Sequence, residues 1–119
     1  MRTASFIHTE HKDDLIVSFA LSIADDPTAV ESLTLLRTPK FEVFLEEWER
    51  GVTVSLELEE KGLLKKVAFD RDAAAVRLMT SQGGFEVDLR SVSRADITEM
   101  LRILKLMNFD GRFEISGLE

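Results

Sequence analysis

The two histidines are the first candidates for chemistry, because imidazole and carboxylate groups lie close together in the sequence. His8 and His11 are near the acidic residues Glu10, Asp13 and Asp14. Imidazole with carboxylates is a ligand set for transition metals. However, His-x-x-His is not the HExxH arrangement, which places two rings on one helix face, and on a strand positions 8 and 11 point to opposite faces. We therefore expect a solvated segment and no metal or cofactor.

Two pairs of neighbouring aspartates, Asp13-Asp14 and Asp25-Asp26, are the next candidates, because carboxylates bind magnesium. The two pairs flank one predicted strand. A rise of about 3.3 Å per residue would separate them by roughly 40 Å. They cannot share an ion in that arrangement, and we assign them to turns and caps.

Motifs for catalysis are missing from the chain. It has 0 cysteines, no G-x-S-x-G elbow and neither of the glycine-rich phosphate-binding patterns. With 22 acidic residues, a pair of carboxylates meeting in a cleft stays open, but nothing in the sequence points to one. The sequence therefore leaves enzymatic activity undecided and favours a protein that is not an enzyme.

Glutamates crowd around the single tryptophan, and this is the most unusual feature of the chain. The candidate partner-binding residues are Glu42, Glu46, Glu47, Trp48, Glu49, Glu57 and Glu59. If a helix over 39–50 lies beside a strand over 52–59, their outward acids merge into one negative surface, which favours a basic protein partner. The alternative is that these glutamates are simply solvated. Trp48 either closes a core face or, if exposed, is an anchor for a partner.

A middle helix over residues 39–50 is predicted from its cap and its periodicity. Thr38 is a good N-cap, Pro39 is favoured at the first helical position, and Gly51 suits the end. An apolar face repeats at i, i+3, i+4 and i+7, formed by Phe41, Phe44, Leu45 and Trp48.

Most of the remaining chain shows the two-residue alternation of strands. Strands are predicted over residues 5–11, 15–23, 32–36, 52–59, 63–69, 74–79, 85–89 and 112–116. Turns are expected at Asp25-Asp26-Pro27, Lys61-Gly62 and Ser81-Gln82-Gly83-Gly84. Tight turns between successive short strands indicate an antiparallel meander.

A second helix follows Ser93, which is a predicted N-cap with Asp96 three residues later. Its wide apolar face consists of Ile97, Met100, Leu101, Leu104 and Met107. Strands and segregated helices make the expected fold α+β, with an antiparallel β-meander packed against this C-terminal helix and the shorter middle helix. A length of 119 residues fits one domain, residues 1–119.

Charge narrows the classes of partner. Residues 1–60 hold 13 acids and 5 bases, net −8, whereas residues 61–119 hold 9 acids and 10 bases, net +1. This balance disfavours nucleic acid and anionic membranes. The longest apolar run, Leu15–Ala24, is too short to span a bilayer. Acidic residues precede it, where a signal peptide carries positive charge, so we expect a cytoplasmic protein.

Three stretches resemble a family of small uncharacterised bacterial proteins. They are SLTLLRTPKFE at residues 32–42, ERGVTV at 49–54 and LKLMNFDGRFEI at 104–115. The resemblance implies a bacterial source and carries no activity, cofactor or site residue.

The sequence leads to one function hypothesis and one alternative. The hypothesis is a non-catalytic protein-interaction domain, in a specific form an immunity- or antitoxin-type inhibitor that presents its acidic face to a basic partner. The alternative is a small-molecule-binding or enzymatic domain with an apolar pocket between sheet and C-terminal helix, lined by Met100, Leu101, Leu104 and Met107. A homodimer through an edge strand also stays open.

Overall fold

Strands form most of the molecule, as the computed structural model, which describes residues 1–117, shows. Within these residues the elements are β1 (Arg2–His11), β2 (Leu15–Ile23), β3 (Asp26–Arg37), two short 3₁₀ helices (Pro39–Phe44 and Glu47–Glu49), β4 (Thr53–Leu56), β5 (Glu59–Asp70), β6 (Ala75–Thr80), β7 (Gly83–Asp88), α1 (Arg94–Met107) and β8 (Glu114–Ser116).

The first seven strands form a closed barrel. Their spatial order is β4-β3-β2-β1-β7-β6-β5, and pairing of β4 with β5 completes the ring. Consecutive strands pair antiparallel, whereas β1 and β7 pair in parallel through Arg2 with Val87 and Thr3 with Asp88. Each of the seven strands therefore pairs with a neighbour on both sides over part of its length.

The long strand β5 has two partners along one of its sides. Its first half pairs with β4, where Leu56 faces Glu59 and Thr53 faces Leu63. Its second half pairs in parallel with β8, where Lys66 faces Glu114. The short C-terminal strand is thereby attached to the barrel next to β4.

Alternation along the strands fills the interior. In β2 and β3, burial repeats at every second residue, with Ala20 as an additional buried position. The buried apolar side chains are Leu15, Val17, Phe19, Ala20, Leu21, Leu33 and Leu35. Arg37 follows in the same phase at the end of β3 and is buried as well. An arginine therefore lies where the pattern would place another leucine.

Helix α1 packs against the barrel and shares its core. The Ser93 hydroxyl accepts a hydrogen bond from the Asp96 N–H at 3.1 Å, which confirms the predicted cap. The helix packs against β1 and β2, and its residues Met100, Ile103 and Leu104 are fully buried in the same core as the strands.

The expected α+β meander with two packed helices is wrong. The described residues contain one α-helix, and the sheet closes into a barrel instead of lying open against a helical layer. The predicted helix over 39–50 is two 3₁₀ turns separated by Leu45 and Glu46 in extended conformation. The buried residue of the first turn is Glu42, so this segment has no apolar face against the core.

The turn expected at Lys61-Gly62 lies earlier, at Glu57 and Leu58. Glu57 adopts a left-handed φ of 54°, and Leu58 is fully exposed. Strand β5 runs on through Lys61 and Gly62. Similarly, β3 begins at Asp26 and continues through Pro27 with an irregular register.

Among residues 1–117, no helix has the length and apolar character that crossing a membrane needs.

Candidate functional site

The buried guanidinium of Arg37 organises one end of the barrel. Its Nε and Nη2 atoms donate to the two carboxylate oxygens of Glu42 at 2.8 and 2.9 Å. Its Nη1 and Nη2 atoms donate to both carboxylate oxygens of Asp110 at 2.8 and 2.9 Å. Nη1 also donates to the Met107 carbonyl at 2.8 Å. These contacts engage all five N–H groups of an arginine side chain.

The charges of this cluster are fixed by mutual contact. Burial by itself would lower the pKa of Arg37, but the hydrogen bonds that it donates to Asp110 and Glu42 outweigh burial and hold that pKa above its ordinary value. The same guanidinium, with help from Arg112, holds the pKa of Asp110 well below its ordinary value. The pKa values of Arg37 and Asp110 are both shifted away from neutral pH, where acid–base catalysis would need them, so we assign the cluster a structural role.

This cluster holds the segment Phe41–Trp48, which carries an unusual surface. Its large apolar side chains point into solvent, with Phe44 exposed to 82%, Trp48 to 75% and Val43 to 71%. Phe41 and Leu45 are exposed as well. Since Glu42 reaches inward to Arg37, the apolar neighbours on either side of it face outward.

The backbone of this segment is tied at several points. The Leu45 N–H donates to the Glu42 carbonyl at 3.0 Å. Glu46 and Glu49 cap the second 3₁₀ turn reciprocally. Arg112 donates to the Glu47 carbonyl at 2.7 Å and to its carboxylate at 2.6 Å. The apolar side chains are therefore displayed from an ordered backbone.

The loop after α1 extends the same surface. The ring of Phe109, itself exposed, lies with its centroid 4.1 Å from the Arg37 guanidinium carbon. That distance is within the range of a cation–π contact. We refer to Phe41, Val43, Phe44, Leu45, Trp48 and Phe109 together as the apolar face.

The predicted acidic residues are only partly brought together. Glu46, Glu47, Trp48 and Glu49 are exposed beside one another in the second turn. Glu42, in contrast, is buried and ion-paired, and therefore does not belong to a solvent-exposed acidic surface. Glu47 is ion-paired with Arg112 at 2.6 Å, which offsets its negative charge at the surface.

The other two predicted residues lie elsewhere. Glu57 and Glu59 follow the end of β4 that lies away from the apolar face. The length of β4, about three residues or 10 Å, separates this end from the end nearest the apolar face. The Glu57 carboxylate accepts the Ser32 N–H at 2.9 Å, and Glu59 is ion-paired with Lys61 at 2.9 Å. They do not merge with Glu46 and Glu49 into one patch.

The other groups considered for chemistry are separated. His8 contacts Glu10 at 3.2 Å, whereas the ring of His11 meets Arg102 of α1 at 3.5 Å. Among residues 1–117, no three His, Cys, Asp or Glu side chains are grouped so that they could hold a metal. The methionines considered as pocket lining, Met100 and Met107, are fully buried core.

Comparisons with known proteins add no assignment: no family model, curated protein or solved structure matches this chain.

Two residues of this site, Arg37 and Asp110, were not among the residues predicted from the sequence. A signal for Arg37 was present, because it continues the buried phase of Leu33 and Leu35. A buried arginine in a strand needs carboxylates. Nothing local indicates that Asp110 supplies one of them.

Proposed function

We propose that this chain is a protein-interaction domain that binds a basic partner through the apolar face and the glutamates beside it. The observation that carries the proposal is the high exposure of Phe44 and Trp48 on an ordered segment. Monomeric soluble proteins seldom expose several large apolar side chains together unless a partner covers them.

Aromatic side chains would supply most of the affinity. Trp is among the residues enriched at binding hot spots, because it buries a large area at little entropic cost. Phe109 would add to the same contact, since its ring and Glu42 of the neighbouring segment contact the same guanidinium. The ties through Arg37 and Arg112 would lower the cost of ordering the segment on binding.

The glutamates would act mainly on rate and selectivity. Glu46 and Glu49 are exposed at the rim of the apolar face and have no ion pair within residues 1–117. Rim carboxylates steer a basic partner toward the surface and disfavour acidic proteins. Fewer carboxylates are free of ion pairs than the sequence suggested. The apolar contacts would therefore contribute more to binding than the carboxylates do.

The specific form of the proposal is a cytoplasmic immunity- or antitoxin-type inhibitor. A nuclease toxin has a basic substrate cleft, which an acidic rim with aromatic anchors would cover. Small size and net charge of −7 support this form.

A photo-crosslinking experiment would identify the partner. Phe44 is replaced by p-benzoylphenylalanine in cells of the source, and crosslinked proteins are identified by mass spectrometry. Val30, exposed on β3, is the control position. We expect a basic protein to be captured from position 44 and not from position 30. The same proteins at both positions, or an acidic protein at position 44, would contradict the proposal.

Stopped-flow binding with the purified partner would then test the roles. We expect Trp48→Ala to raise the dissociation rate by roughly 30-fold, as for a hot spot worth about 2 kcal/mol. Glu46→Gln with Glu49→Gln keeps the cap and removes two charges, and should lower the association rate roughly three- to tenfold at low salt. Glu10→Gln with Glu114→Gln is the charge-matched control. Equal effects of both pairs would overturn the steering role.

The inhibitor form has its own readout. If the partner is an enzyme, one equivalent of this chain should abolish its activity. A partner that stays active in the complex would exclude the inhibitor form. The proposal of an interaction domain would stand.

A further inference from the structure

An open groove lies between the barrel and the first turns of α1, away from the apolar face. Its volume is about 630 Å³. The groove is bounded by the turn that follows β5, by the connection from β7 to α1, and by the side of α1 that carries Ile97 and Leu101. This volume is in the range of sites for small organic molecules.

The floor of the groove is apolar. Phe69, Leu89 and Val92 line it and are buried, and Leu101 is partly buried where it packs against the core. A ligand that covered this floor would remove apolar surface from water, which is favourable.

Three arginines line the groove, and no acidic residue does. They are Arg71, Arg90 and Arg94. Arg90 is held in place by Asp88, to which its Nε and Nη2 donate at distances down to 2.7 Å. The guanidinium of Arg71 lies 5.5 Å from the centroid of the Phe69 ring. Within residues 1–117, neither Arg71 nor Arg94 forms a salt bridge.

The direction of α1 adds to this positive field. Arg94 is the first residue of the helix, and Ser93 caps only the Asp96 N–H. Backbone N–H groups and the helix dipole at an N-terminus favour a negative group nearby. The Asp96 carboxylate in the first turn of α1 opposes part of this effect, so the arginines are the main source of positive charge at the groove.

We propose that this groove binds a small amphipathic anion, an alkyl or aryl group that carries a carboxylate or a phosphate. The anionic head would lie between Arg71 and Arg94, and the apolar body on Leu89 and Leu101. Guanidinium groups match both kinds of oxyanion, because their N–H donors form paired hydrogen bonds with two oxygens. The site is independent of the proposed partner surface and shares no residue with it.

The test is a titration of the ¹⁵N-labelled protein with octyl phosphate and, separately, octanoate, followed by ¹H–¹⁵N NMR. We expect saturable shifts for the amides of residues 71–74 and 90–98 with at least one of the two anions. The stronger ligand identifies the preferred head group. Inorganic phosphate and octanol, each lacking half of the ligand, should bind at least about tenfold more weakly.

Paired variants test the arginines. Arg71→Gln with Arg94→Gln should weaken binding at least about tenfold, given the strength of hydrogen bonds to charged groups. Lys65→Gln with Lys105→Gln removes the same charge from two exposed positions outside the groove and should change the affinity less than twofold. Dispersed spectra of both variants would show that they are folded.

Three results would overturn the proposal. One is equal binding of octanol and octyl phosphate, which would indicate contact without charge recognition. Another is a set of shifts centred on residues 41–48, which would place the ligand on the apolar face. The third is an equal loss of affinity in the two variant pairs.

Discussion

Asp110 accepts two hydrogen bonds from Arg37, at 2.8 and 2.9 Å, across 73 residues of sequence. Through this one guanidinium, the end of β3 is joined to the loop after α1, and the Met107 carbonyl joins the helix itself. Glu42 adds the segment that displays the apolar face. The barrel, the helix and the proposed binding segment therefore depend on a single buried cation.

Replacing that cation should be costly. Arg37→Met leaves Glu42 buried without a partner, and we expect the free energy of unfolding to fall by about 3–5 kcal/mol. Urea unfolding measures it. Arg102→Met removes an exposed ion pair with Glu99 and should cost less than about 1 kcal/mol. A similar small loss for both variants would show that the cluster is not the tie described above.

Acid should weaken the same tie. The folded state holds the pKa of Asp110 below its ordinary value of 3.8, chiefly through hydrogen bonds from Arg37. A proton therefore binds the unfolded chain more readily, so this stabilisation is complete above about pH 5 and is lost as pH falls further.

Urea unfolding of Asp110→Asn should separate this effect from general acid denaturation. The variant should be less stable than the parent at pH 7, and its stability should decline less between pH 5 and 2.5. Asp72→Asn, at an exposed position, is the control and should follow the parent. Parallel declines in all three proteins would contradict the assignment.

The strands were predictable because burial repeats every second residue. The phase of β2 and of β3 follows directly from Val17, Phe19 and Leu35. Closure of the barrel was not predictable in this way. It depends on the parallel contact of Arg2 with Val87, which joins strands far apart in the chain and leaves no local pattern in the sequence.

The middle helix was mispredicted for a physical reason. Phe41, Phe44 and Trp48 have helical spacing, but spacing does not say which side faces the core. The buried charge of Arg37 draws in Glu42, and this tertiary contact outweighs local propensity. The same contact removes Glu42 from the predicted acidic surface, because Glu42 is buried in an ion pair with Arg37.

Exposure of the apolar face predicts that it contributes little to stability. Phe44→Ala and Trp48→Ala should each change the free energy of unfolding by less than about 0.5 kcal/mol. Leu35→Ala, in the buried core, should cost about 2–5 kcal/mol. Urea unfolding followed by circular dichroism avoids reliance on tryptophan fluorescence. A core-like loss for Trp48→Ala would show that its ring is packed, which would remove the basis of the proposed function.

Gly117 and Gly111 provide a matched test of how β8 is attached to β5. Both have positive φ, 83° and 68°, so alanine at either position should cost about 1–2 kcal/mol in backbone strain. A Cβ at Gly111 would meet open space, whereas at Gly117 it would overlap the Phe69 carbonyl. That overlap lies next to the last β8 pair, Ala68 with Ser116. Gly117→Ala should therefore be the more destabilising change, and hydrogen exchange should accelerate at residues 114–116 in this variant alone. Equal losses and unchanged exchange in the two variants would mean that β8 is not held by this close approach.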